Sequence, residues 1–282
     1  MKKIQIKISN SNSVALNLAL EEYLVTSLKE DILLFYINTN AVVIGKHQNP
    51  WKEVNLTSAK TNNIEVARRL SGGGTVYHDL GNINFSFIRN KEEDFVNFRE
   101  HIEPISQALR NLNVENHISP RNDIFIGEYK ISGNAEHVNN SKKRIIHHGT
   151  LLYDSNIEQL SKNIKPEPIQ IKTHAVNSVR SPVKNIRSEG DLGDTEAFLT
   201  QLISQITNVI EVESKSIIDP KLISEVSTLA LEKYSQWDWT FGHTPQFVFT
   251  NENGVNFKIR KGKVIECENA AMIGLRSDEV IK

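Results

Sequence analysis

The chain has 282 residues, and its 33 lysines and arginines against 34 aspartates and glutamates leave a formal net charge of −1 at pH 7. That balance excludes the large positive field with which proteins bind nucleic acid through counterion release. A hydrophobic share of 39% is ordinary for a globular protein, and with no apolar run near the ~18 residues of a membrane span no transmembrane segment is expected.

Residues 1–6 alternate like a strand and lack the apolar core of a secretory signal, so a cytoplasmic location is expected. Asn10-Ser11-Asn12-Ser13 offers helix N-caps, and Leu16, Leu20, Leu24 and Leu28 then recur every four residues, which predicts an amphipathic first helix. Residues 31–38 and 41–46 are rich in Ile, Val, Phe and Tyr and are separated by Thr39-Asn40, which predicts a hairpin of two core strands. The looser segment from Gly45 to Trp51 is expected to border whatever the next motif binds.

That motif is Ser71-Gly72-Gly73-Gly74-Thr75, entered from Arg68-Arg69-Leu70 and left through Val76-Tyr77-His78-Asp79, between strand-like runs at 64–70 and 82–88. Glycines without Cβ atoms let backbone N–H groups approach an anion and adopt positive φ, while a neighbouring guanidinium supplies bidentate charge. Strand alternation lets one arginine of the pair face a pocket, and Arg69, nearer the glycines, is the one assigned to it. The loop has neither the Gly-Lys-Ser/Thr ending of a P-loop nor G-x-G-x-x-G spacing, and no helix pattern follows it.

Phe95, Phe98, Ile102, Ile105, Leu109 and Leu112 step by three and four, predicting a helix that Pro104 should kink or start. Residues 124–131 and 144–153 read as strands around a polar tip, Asn139-Asn140-Ser141-Lys142-Lys143; with Arg144, its lysines are either a solvated turn or a docking site for an acidic partner. Lys130 on the first of these strands is a point charge suited to an acyl-phosphate oxygen, and His147 and His148 on the second face opposite ways, so that one can reach a pocket. Lys165-Pro166-Glu167-Pro168 and residues 187–191 bracket a loop-rich stretch around Ser178-Val179-Arg180 that is expected to be mobile.

Leu199, Leu202, Ile206 and Ile210 mark one later helix, and Pro220 inside an Asp219 cap marks another. After Trp237-Asp238-Trp239, short strands near 247–249, 255–260 and 263–266 imply a small antiparallel sheet. The single cysteine, Cys267, excludes an internal disulfide and a cysteine-rich zinc site, and the nine histidines show no HExxH-type arrangement, which argues against an intrinsic transition-metal centre. Strands interspersed with helices predict an α+β fold, a mixed or antiparallel sheet with flanking helices and a small C-terminal sheet region.

Several motifs stand in register: Arg68-Arg69-Leu70-Ser71-Gly72-Gly73-Gly74-Thr75-Val76-Tyr77-His78-Asp79-Leu80-Gly81-Asn82, Arg121-Asn122-Asp123-Ile124, Lys130-Ile131-Ser132-Gly133-Asn134-Ala135, His147-His148-Gly149-Thr150-Leu151-Leu152 and Ser178-Val179-Arg180-Ser181. With Val43-Ile44-Gly45-Lys46 and Gln48-Asn49-Pro50-Trp51 ahead of them, the chain resembles the lipoate-protein ligases from near Leu18 to Trp239. The resemblance implies a catalytic domain over 1–239, related to biotin ligases and class II aminoacyl-tRNA synthetases, and an accessory region over 240–282 that is short beside that of full-length relatives.

It also implies that lipoate and ATP, with Mg²⁺, give lipoyl-AMP, and that the lipoyl group passes to a lysine of an acceptor domain of the 2-oxoacid dehydrogenase E2 or glycine cleavage H protein type. By the same resemblance Arg69, Gly74, Thr75, Val76, Tyr77, Asn82, Asn122, Asp123, Val179 and Arg180 hold ATP or the adenylate, with Asn122 and Asp123 beside the phosphate or its Mg²⁺. Lipoate falls to Leu18, Arg69, Ser71, Gly72, Gly73, His78 and His148, while Lys130 contacts both substrates and is the catalytic residue. Leu18, Val43 and Leu70 are expected to wall the apolar slot that the dithiolane needs.

The chain departs from the family pattern at Glu136-His137, where relatives often have an aromatic or glutamine and an arginine, and at His174-Ala175-Val176-Asn177, which replaces a common Lys-Gly. Two rival readings remain. One is an ATP-independent octanoyl or lipoyl transferase working through a cysteine, for which Cys267 is the candidate; the other is a non-catalytic lipoate-binding module, which an intact Lys130 disfavours.

Overall fold

The computed structural model describes residues 3–91, 97–164 and 166–281; residues 1–2 of the first strand-like run, Phe95 of the helical face and Lys165 of the Lys-Pro-Glu-Pro motif lie outside them. In chain order the first part comprises β1 (Ile4–Ile8), α1 (Val14–Ser27), β2 (Ile32–Ile37), β3 (Ala41–Ile44), α2 (Pro50–Glu53), α3 (Leu56–Thr61), β4 (Glu65–Arg68), β5 (Val76–His78), β6 (Asn82–Asn90) and α4 (Phe98–Asn111). The middle comprises β7 (His117–Ile118), β8 (Ile124–Ile126), β9 (Tyr129–Ser132), β10 (Asn134–Asn139), β11 (Arg144–Leu152), α5 (Ile157–Asn163) and β12 (Gln170–Thr173). Then come α6 (Thr195–Ile206), β13 (Val212–Ile217), α7 (Pro220–Leu229), β14 (Phe247–Thr250), β15 (Asn256–Arg260), β16 (Lys263–Glu266) and α8 (Ser277–Val280).

A six-stranded mixed sheet in the order β10-β11-β6-β2-β1-β13 forms the frame. Strand alternation sorts its side chains between two helical layers. Leu33, Phe35, Ile83, Phe85 and Phe87 pack under α4 and α6. Ile32, Leu34, Tyr36, Ile88 and Ile146 pack under α1 and α7. Because both faces are covered, β2 reads as a continuous apolar run rather than an alternating one. The α+β class is as expected from the sequence.

Ser13 caps α1 by accepting from the Leu16 N–H. The helix is less amphipathic than its leucine spacing predicts, because Asn17 and Glu21 are buried along with Leu18, Leu20 and Leu24. Pro104 lies inside α4 rather than at its start.

The expected hairpin across Thr39-Asn40 does not form. β2 joins the six-stranded sheet, whereas β3 lies between β4 and β5 in a separate three-stranded sheet. The corner is fixed by Asn38, whose buried amide accepts from Asn17 Nδ2 and donates to His78 Nδ1 at 2.9 Å, and by the Thr39 N–H on the Asn12 carbonyl.

Residues 124–131 are two short antiparallel strands, β8 and β9, turned at Gly127 with φ 56°, rather than one strand. The tip between β10 and β11 is a turn as predicted, but Arg144 is buried and its guanidinium binds the carbonyls of Lys29 and Glu30, which removes it from the exposed lysine pair. Part of the stretch expected to be mobile is the strand β12, which pairs with β14 and makes the C-terminal sheet four-stranded, β12-β14-β15-β16. Trp51 of α2 packs against Phe241 and Phe247, fastening that sheet to the rest of the molecule.

Candidate active site

Arg68 and Arg69 diverge at the end of β4, as strand alternation requires. Arg69 turns toward a cavity of about 430 Å³ bounded by the glycine loop, α1, β9 to β11 and the 178–181 segment. Its guanidinium is occupied by the loop and by β3: Nε donates to Ser71 Oγ, Nη1 to the Val43 carbonyl, and Nη2 to the carbonyls of Gly72 and Gly74 at 2.6 and 2.7 Å. Turning the loop carbonyls onto a cation leaves the neighbouring N–H groups for a ligand. Burial pushes the Arg69 guanidinium down to about 10, so it remains charged at neutral pH.

Of the three loop glycines only Gly73 has positive φ, at 84°. The loop rests on Gly45, where a Cβ would lie 2.3 Å from the Gly73 carbonyl oxygen.

Lys130 reaches the cavity from β9, its Nζ 2.9 Å from Asp123 Oδ1. β9 is held by β8 on one edge and by the 182–184 backbone on the other, with the Lys130 N–H on the Pro182 carbonyl.

At the opposite end a buried polar chain closes the slot. Glu21 accepts from Tyr36 OH at 3.0 Å and from Ser86 Oγ; His148 Nδ1 lies 3.0 Å from Glu21, and His148 Nε2 lies 2.6 Å from Ser71 Oγ. Burial would raise the Glu21 carboxyl, but His148 and the Ser86 and Tyr36 hydroxyls hold it below the ordinary carboxylate range. His78 accepts from Asn38 at Nδ1, so its proton sits on Nε2, which has no partner; burial, with the Arg69 charge beside it, pushes it down to about 3. Leu18, Tyr36, Val43 and Val76 give the cavity an apolar wall between these polar ends.

The fourth side is a latch. Ser178 Oγ donates to Glu53 Oε2 and receives the Thr75 N–H at 2.9 Å and Gln48 Nε2 at 3.0 Å.

Among the expected residues, Leu18, Arg69, Gly73, Gly74, Thr75, Val76, His78, Asp123, Lys130, His148 and Val179 line the cavity. Ser71 and Gly72 lie just behind, bonded to Arg69, and Leu70 packs against the α1 layer instead. Tyr77 points away into the cluster around Val42 and Leu152. Asn82 is buried beside Asn84, Asn122 presents its carbonyl to Asn134, and Arg180 lies outside, donating to the Ile164 carbonyl. Sequence reasoning missed Glu21, Tyr36 and Glu53, and had Gln48 only as part of the 45–51 segment expected to border the site. Glu21 carried a signal, since a carboxylate on the buried stripe of an apolar helix is rare unless paired.

An apolar slot with a buried polar end, opening beside a lysine and a cation-braced glycine loop, defines a protein built for an amphiphilic anion. Residues 13–207 match the family described as the lipoyl protein ligase A/B catalytic domain. The lipoate-protein ligase LplJ of Bacillus subtilis is 39% identical over 274 residues, covering 92% of this chain and 82% of that protein. The chain belongs to the lipoate-protein ligase family. A solved lipoate-protein ligase A bound with ATP superposes with a TM-score of 0.73 at 28% identity, covering 86% of this chain and 100% of that one. An archaeal bipartite lipoate protein ligase from Thermoplasma acidophilum, whose structural description includes its E2 lipoyl domain, gives 0.71 at 27% identity, covering 86% and 97%. Among the described residues, no helix is long and apolar enough to cross a membrane.

Proposed function

We infer that the protein joins lipoate to ATP and then transfers the lipoyl group to a lysine of an acceptor protein. In the first step a lipoate carboxylate oxygen attacks the α-phosphorus and pyrophosphate leaves, giving lipoyl-AMP. In the second the acceptor amine attacks the acyl carbon, AMP leaves, and an amide forms with loss of the amine proton. Two anions must meet in the first step, so alignment and neutralisation are the protein's main task.

The observation that carries this reading is the position of Lys130, whose side chain lines the same cavity as the apolar wall and the glycine loop. There it faces the carboxylate and α-phosphate in the first step and the acyl oxyanion in the second. The dithiolane lies between Leu18, Val43 and Tyr36, toward Glu21 and His148. The loop backbone at Gly73 and Gly74 and the Val179 segment cover the nucleotide.

Asp123 is the one cavity-lining carboxylate among the described residues. That suits Mg²⁺, which binds through one or two carboxylates and takes its other ligands from water and phosphates. The ion would supply charge neutralisation at the phosphates. The acceptor is a lipoyl domain of the E2 or H protein type, and use of ATP places the reaction in the cytoplasm. Residues 1–239 carry the chemistry, and 240–282, joined by β12, form the accessory region.

Cys267 lies beyond β16 in the C-terminal cluster and does not line the cavity, which disfavours a cysteine transferase. Mass spectrometry of an acceptor domain incubated with protein, lipoate and ATP tests the reading. One lipoyl addition that requires ATP is expected. Transfer from an octanoylated donor without ATP, with a thioester trapped on Cys267, would replace it.

A further inference from the structure

On the face of β11 opposite His148, three metal-ligating side chains converge under α4. His101 of α4, Glu136 of β10 and His147 of β11 each offer one ligand atom, and these atoms lie within 4.8 Å of one another. Glu136 Oε1 stands 2.7 Å from His147 Nδ1 and 3.5 Å from His101 Nδ1. The two imidazoles are nearly parallel, with centroids 5.1 Å apart, and Phe85, Phe87 and Phe98 pack around them. All three side chains are at most 6% exposed.

The polar bonding of this cluster is incomplete. His101 Nδ1 and Glu136 Oε2 are buried with no hydrogen-bond partner. Among the described residues, no lysine or arginine forms an ion pair with Glu136, whose side-chain oxygen faces the two imidazoles instead. A carboxylate sealed among aromatic rings calls for a cation.

We propose that His101, Glu136 and His147 form a binding site for a divalent transition-metal ion of the zinc class. Two imidazoles and a carboxylate are donors that zinc accepts, and Glu136 Oε2 can supply a further oxygen. The surroundings fit the same assignment. With Nδ1 turned to the ion, His147 directs Nε2 at Asn134 Oδ1, 3.4 Å away, the carbonyl support that orients ligating imidazoles. Asn134 also lines the cavity, so the ion would brace β10, β11 and α4 directly beneath the active site without touching substrate. Glu136, one of the two departures from the family pattern, belongs to this cluster. Ligands drawn from a helix and two strands leave no short spacing motif, which is why the histidine pattern argued against a metal.

The test is metal binding by the whole protein without lipoate or ATP, so that its outcome is independent of the proposed reaction. Chelator-treated protein titrated with Zn²⁺ should take up one equivalent and melt at a higher temperature, and Co²⁺ should give the visible absorption of a low-coordinate site. Glu136→Gln and His101→Gln should each weaken Zn²⁺ binding by more than the ~10–100-fold that follows loss of an outer partner. His137→Ala, beside the cluster, should retain the ion. Should both ligand variants fail to fold, X-ray absorption of the zinc-loaded wild type still decides, with nitrogen and oxygen ligands, two imidazoles and no sulfur expected. No stoichiometric uptake, a sulfur ligand, or unchanged affinity in both folded ligand variants would overturn the proposal.

Discussion

Lys130 lies where two strand edges hold its backbone and a carboxylate holds its amine, 2.9 Å away, so its charge is aimed before any substrate arrives. Preorganised charge of this kind is worth ~10²–10³ in rate. Lys130→Ala should therefore slow lipoate-dependent pyrophosphate exchange by about that factor, and should also slow transfer from preformed lipoyl-AMP. Wild-type rates for both steps in a folded variant would remove the residue from the chemistry. His78 bears on stability instead. Its imidazole sits near 3 in the folded protein against an ordinary 6.5, so below pH 6.5 the unfolded chain takes up a proton that the folded chain refuses. Stability from this residue is complete above pH 6.5 and is lost as the pH falls toward 3, by up to ~1.4 kcal/mol per pH unit. His78→Gln should flatten the decline of the urea midpoint between those values; an unchanged slope would mean that other groups set the acid sensitivity.

The elements were legible where one local signal sufficed. Ser13 and the spaced leucines announced α1, Asp219-Pro220 announced α7, and strand alternation put the members of each pair, Arg68-Arg69 and His147-His148, on opposite faces, with Arg69 and His148 in the cavity. What failed depended on distant partners. β2 and β3 are both buried on each face, so their apolar runs gave no sign that they join different sheets. The turn at Gly127 was hidden between two apolar runs, and β12 has no buried residue to mark it as a strand. The grip of Gln48 and Glu53 on Ser178 was missed because Ser178 lies more than a hundred residues further on. That latch makes its own prediction. A hydrogen bond to a charged group is worth ~1.5–3 kcal/mol, so Glu53→Gln should free the 178–181 segment and raise the KM for ATP by at least ~10-fold. Limited proteolysis there should quicken, with ATP and lipoate together protecting it; an unchanged KM and cleavage rate would show that the latch is passive.

Arg68 joins the parts of the molecule. Completely buried, its guanidinium binds the carbonyls of Gly45, Lys46 and Gln48 on one side and the Thr240 carbonyl and Thr244 Oγ1 on the other, while its own carbonyl accepts from Trp239 Nε1 at 2.7 Å. The segment that floors the glycine loop is thus tied to the segment that leads into β14. Burial pushes this guanidinium down to about 10, still charged at neutral pH. Arg68→Met keeps much of the volume but leaves several buried acceptors bare, at ~1–3 kcal/mol each before relaxation. A loss of about 3 kcal/mol or more is expected, a large share of the ~5–15 kcal/mol that holds a folded domain together. Cys267, the one thiol in the chain, is partly buried against the core of the C-terminal sheet and reports where the loosening occurs. If Arg68 fastens that sheet, a thiol reagent should modify Cys267 faster in Arg68→Met than in wild type under native conditions, while Cys267→Ser alone leaves ligation unchanged. Equal thiol reactivity alongside the expected loss of global stability would place the role of Arg68 in the glycine-loop floor and assign the hold on the sheet to Trp51, Phe241 and Phe247.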